Sequence, residues 1–109
     1  MDFEFENKWK LLISDVSEKF GEPLDLSSIL FLIGVQEVGQ GFQKYKKDEK
    51  LDLMHVAICK LLEPYGYYKL NGKDEEGWPH FDFNSTLPTL NPSEQQRLIK
   101  QSILEYFEE

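Results

Sequence analysis

The sequence predicts an α+β domain that is mainly α. It should hold four helices, with one β-hairpin between the third and the fourth, in the order α-α-α-β-β-α. Three features point there. Apolar residues recur at helical spacing through most of the chain, Gly and Pro punctuate it at the expected boundaries, and residues 67–83 switch to aromatic, strand-forming composition around a polar turn. At 109 residues, 40% hydrophobic and 14% aromatic, the chain suits one compact domain over 1–109, with a core that needs no disulfide.

Phe5, Trp9, Leu12, Ile13, Val16 and Phe20 fall on one helical stripe, with Lys8, Lys10, Asp15, Glu18 and Lys19 largely off it. Gly21 and Pro23 stop the chain from continuing, so the first helix should span about residues 4–20. In the next segment, Asp25 or Ser27 can cap a helix that runs to Val38 and ends at Gly39 and Gly41. Segment 28–38 is open to a second reading, as the buried strand "SILFLI" followed by a glycine loop; Leu26, Ile29, Leu30, Ile33 and Val38 favour the helix. Gly34 inside that helix would mark the close approach of another element, such as an aromatic ring.

"GFQKYKKDEK" reads as a basic loop, after which Asp48 can cap the third helix. Leu51, Met54, Ile58, Leu61 and Leu62 form its core stripe, widened by Leu53, Val56 and Ala57; Pro64 ends it at Glu63. Tyr67, Tyr68 and Leu70 then read as one strand and Trp78, Phe81 and Phe83 as the return, with Asn71-Gly72 and the acidic run after it forming the turn. Phe81 and Phe83 have the spacing of one buried face. Pro79 has no ladder donor, so the returning strand is an edge or begins after it. Asn91, Pro92 and Glu94 are a helix start signal, and the last helix should run over 92–107, burying Leu98, Ile99, Ile103, Tyr106 and Phe107.

The net charge is −8. Residues 1–40 hold eight acids and three bases, 41–60 three acids and five bases, and 61–109 nine acids and four bases. Only the middle segment is net positive, so the overall field disfavours nucleic acid and anionic membranes. The longest apolar run, "ILFLIGV", is too short to cross a bilayer, and the acidic N-terminus is unlike a signal peptide. A single Cys59 allows no internal disulfide and suits a reducing, cytoplasmic setting.

The residues that could carry chemistry each have a plainer reading. His55 and Cys59, four residues apart on one helix face, could join His80 around a metal, but they lack the four-ligand spacing of a structural zinc site. Cys59 sits in an apolar helix with no activating base pattern, so an inert buried thiol fits better than a nucleophile. Asp74, Glu75 and Glu76 have the composition of a solvated turn. "GVQEVGQG" lacks the Lys-Ser/Thr of a phosphate-binding loop. No cofactor is implied, and nothing marks an enzyme.

The element order is similar to that of a winged helix-turn-helix domain, by order alone. That resemblance implies a recognition role for the third helix, a wing in residues 67–81, dimerisation through the last helix, and DNA contacts from Lys44, Lys46, Lys47 and Lys50. The third helix, however, carries Asp48, Glu49, Asp52 and Glu63 with no Arg, a poor set for base edges. The better expectation is a small acidic, non-enzymatic interaction domain that binds another protein or a second copy of itself through hairpin aromatics: Tyr65, Tyr67, Tyr68, Trp78 and Phe81, with His80 beside them.

Overall fold

A computed structural model of the chain describes residues 3–41 and 43–108. Phe42, inside the expected basic loop, lies outside the described residues. The elements are helix α1 (Phe3–Phe20), α2 (Leu26–Val38), α3 (Lys47–Leu62), a single 3-10 turn (Glu63–Tyr65), strands β1 (Tyr68–Lys73) and β2 (Pro79–Phe83), and helix α4 (Pro92–Glu108). The order is α-α-α-β-β-α, as the sequence predicts, and 28–38 is helix. Among the described residues no helix is long and apolar enough to cross a membrane.

Local chemistry sets most boundaries. The Asp25 carboxylate accepts the Ser28 N–H at 2.9 Å and starts α2. Gly39, at φ 76°, closes it by donating to the Val35 carbonyl. Asn91 and Glu94 cap α4 reciprocally: the Asn91 side chain accepts the Glu94 N–H at 2.8 Å, and the Glu94 carboxylate accepts the Asn91 N–H at 3.2 Å. α3 begins earlier than expected. Its cap residue is Lys46, whose N–H donates to the Glu49 carboxylate at 3.0 Å. Asp48 therefore lies inside the first turn, where a negative charge still suits the helix dipole.

α2 and α3 are the most extensively packed pair. Gly34 makes this possible: a methyl group there would land on the Leu53 carbonyl oxygen. The close approach expected at Gly34 is real, but the neighbour is the α3 backbone and not an aromatic ring. One core cluster gathers Trp9, Ile29, Leu30, Ile33, Ala57, Leu61, Leu62, Ile99 and Ile103 from all four helices. A second, of Val35, Val38, Tyr45, Leu53 and Val56, is covered by Phe31, Trp78 and Phe81.

Four expectations are corrected. Leu51 is 56% exposed, because the buried face of α3 runs through Leu53, Val56, Ala57, Cys59, Leu61 and Leu62. Phe107 stays 43% exposed in the last turn, its ring edge-to-face with Tyr106, while Ser102 is buried and donates to the Ile99 carbonyl at 2.7 Å. Phe83 is 62% exposed, so Phe81 and Phe83 do not form one buried face. The helices cover only part of the hairpin: Tyr68 packs on the first cluster and Phe81 on the second, leaving Leu70 and Phe83 outside. Finally, Asn71-Gly72 is not the turn. Both residues stay in β1 and Tyr67 precedes it. The antiparallel register pairs Tyr68 with Phe83, Lys69 with Asp82 and Leu70 with Phe81, then shifts so that Lys73 meets Pro79. Gly72, at φ 76°, takes up that irregularity.

Candidate functional site

A groove of about 420 Å³ runs between α3 and the returning half of the hairpin. One wall is helical. Glu49, Asp52, Val56 and Cys59 follow each other by three, four and three residues and so share a face, with His55 beside them. The other wall is Asp74, Glu76, Trp78, Pro79, His80 and Phe81. Trp78 and Phe81 are half-buried against the second core cluster and line the groove. Among the described residues, four carboxylates border it and no Lys or Arg does.

Asp74 organises the hairpin wall. Its Oδ1 accepts the Glu76 N–H at 2.9 Å and the Trp78 N–H at 3.0 Å, while its Oδ2 stands 3.0 Å from His80 Nε2. The Trp78 amide, then His80, then the Glu76 amide hold the Asp74 carboxyl below the usual carboxylate range. The charge run at the tip is therefore a built turn. It is also tied to the helices: Gln40 Nε2 donates to the Glu76 carbonyl at 2.5 Å.

Cys59 lies at the floor, 1% exposed, with Sγ 3.5 Å from His55 Nε2. Burial pushes its thiol up to about 11, so at neutral pH it is a protonated group without nucleophilic character. His55 is exposed at the rim and meets the Tyr68 ring edge-to-face at 6.3 Å. His55, Cys59 and His80 do border one groove. Among the described residues, however, no three His, Cys, Asp or Glu side chains gather closely enough to hold a metal ion.

The remaining predicted contact residues scatter. Tyr67 and Tyr68 are half-buried against the first cluster. Tyr65 lines a different hollow of about 510 Å³ with Lys60, Glu105 and Tyr106, where the hydroxyls are committed: Tyr65 to Glu105, and Tyr106 to Glu37 at 2.8 Å. Of the six predicted contact residues, the structure brings together Trp78, His80 and Phe81. Lys44, Lys46, Lys47 and Lys50 are exposed at the start of α3, interleaved with Asp48, Glu49 and Asp52. Of the sixteen residues of α3, the helix that a winged-helix comparison would lay in a DNA groove, six are buried under its neighbours.

The sequence reading gave no contact role to Glu49, Asp52, Asp74 or Glu76. The three-four-three spacing from Glu49 to Cys59 was the available signal for the first two; nothing local marked that this face would look onto the hairpin. No protein-family model, curated protein or solved structure matches the chain.

Proposed function

We propose that the chain is a non-enzymatic protein-interaction domain whose groove between α3 and the hairpin receives a basic segment of another protein. One observation carries this: Trp78 and Phe81 line a groove bordered by Glu49, Asp52, Asp74 and Glu76 and, among the described residues, by no Lys or Arg. Trp is enriched among binding hot spots, and Lys or Arg set over a ring beside carboxylates gains cation–π and ionic attraction together. The neutral, buried Cys59 thiol argues against nucleophilic catalysis at the same place. An unpaired cysteine suits a reducing compartment such as the cytoplasm. A second copy of the chain is the weaker occupant, because a charge of −8 on each copy opposes self-association.

The test is affinity capture from a cell extract with immobilised parent protein, Trp78→Ala, and the double variant Glu49→Lys/Asp52→Lys, each first checked for retained helicity. The expected result is a protein held by the parent, released by moderate salt, and lost with both variants. Capture by all three alike would refute the assignment of the groove.

A further inference from the structure

β2 has an unpaired side. Among the described residues the sheet has two strands, so β1 occupies one edge of β2 and no described strand occupies the other. The ladder fixes which groups point outward. The Asn84 N–H donates to the Tyr67 carbonyl at 2.9 Å, one step beyond the Tyr68–Phe83 pair, and Asp82 stands opposite Lys69. Residues 82 and 84 therefore direct their N–H and C=O groups at β1. By the alternation of an antiparallel ladder, Phe81 and Phe83 direct theirs away from it. On β1, the outward donor opposite Phe81 is already satisfied, since the Leu70 N–H is bonded to the Glu63 carboxylate at 3.0 Å. Pro79, the next outward position on β2, has no N–H to leave open.

This edge faces the groove. His80 and Phe81 are successive residues and send their side chains to opposite faces of the strand, yet both border the groove, together with Pro79. A hollow touched by both faces of one strand lies along that strand's edge. α3 forms its far wall, so the space has a helix on one side and a free strand edge on the other.

We infer that an extended segment of a partner protein enters this groove as a third strand, pairing its backbone with Phe81 and Phe83 of β2. This rests on the groove assignment made above and adds the mode of binding. Main-chain hydrogen bonds would supply affinity, and alternate side chains would supply selectivity. The segment's inward basic residues would meet Glu49, Asp52, Asp74 and Glu76. The same carboxylates, with Asp82 on β2 itself, make another acidic copy of this chain a poor fit to the edge.

The experiment is an NMR titration of isotopically labelled protein with a capped heptapeptide that alternates Lys or Arg with Val. A matched peptide carries N-methyl groups on alternate backbone amides, made in both possible phases. Expected are saturable shifts at Trp78, His80 and Glu49, slowed hydrogen exchange at the Phe81 and Phe83 amides, and loss of binding for one methylated phase only. Phe83→Pro removes an outward donor while leaving the ladder donors in place, and should weaken binding about tenfold, whereas Phe83→Val should not. Equal binding by the unmethylated peptide and both methylated phases would overturn strand addition and leave the groove assignment standing. No saturable shift at Trp78, His80 or Glu49 with any peptide would overturn both. Shifts at Phe81 and Phe83 that grow with protein concentration alone would give the edge to a second copy, and so refute the proposed occupant.

Discussion

Gly34 is the residue on which the helical half of the fold depends most. A hydrogen there lets α2 and α3 touch backbone to side-chain stem; a methyl group would meet the Leu53 carbonyl, which belongs to a helix and cannot swing aside. Gly34→Ala should therefore lower stability by about 3 kcal/mol, at the upper end of ordinary overpacking, even though Ala is the better helix former. Chemical denaturation followed by circular dichroism checks this, and an unchanged midpoint would mean that the two helices sit further apart. From the sequence, Gly34 could be recognised as a point of close approach because a glycine within an apolar helix has few other uses. Its neighbour could not be recognised, since periodicity reports which residues face inward and not what comes to meet them. Leu51, Phe83 and Phe107 fail for the same reason: each is apolar and correctly spaced, and no other element happens to cover it.

Among the elements, those with local causes were legible. The Asp25 cap of α2 and the Asn91–Glu94 box of α4 are made by residues three positions apart, so the local sequence contains both partners. The hairpin was legible in kind and not in detail. Asn71-Gly72 has turn composition, but the chain uses the positive φ of Gly72 for an irregularity in β1, and Asp74 makes the turn. That gives the tip a defined acid response. Because the folded carboxyl of Asp74 lies below its ordinary value of 3.8, the ionised form is favoured by the turn. Its contribution is complete above that value and is lost as pH falls through the lower, folded one. The Glu76 and Trp78 amide signals should titrate with a midpoint under 3.8, and Asp74→Asn should abolish this transition. A midpoint at or above 3.8 in the parent would show that the carboxylate does not hold the turn.

At the scale of the molecule, two core clusters invite the question of whether they melt separately. α2 contributes Ile29, Leu30 and Ile33 to one and Val35 and Val38 to the other; α3 likewise divides Ala57, Leu61 and Leu62 from Leu53 and Val56. Two unbroken helices thus run through both, and unfolding should be a single cooperative event. The two tryptophans provide the check, since Trp9 belongs to the first cluster and Trp78 packs on the second. Trp9→Phe and Trp78→Phe each leave one reporter, and within each variant the fluorescence transition should coincide with loss of helicity. A Trp78 signal that moves at lower denaturant would show the hairpin leaving first. The site itself was the least legible part, because its helical wall ends at Cys59, its hairpin wall begins only at Asp74, and the two meet only through the packing of β1 and β2 on α3. Across a still longer interval, the Gln40 amide reaches the carbonyl of Glu76. That contact pins the hairpin tip to the Gly39–Gly41 stretch that follows α2. Val35 and Val38, at this same end of α2, belong to the cluster on which Trp78 and Phe81 pack, so tip and helix end are fastened to each other both inside the core and outside it.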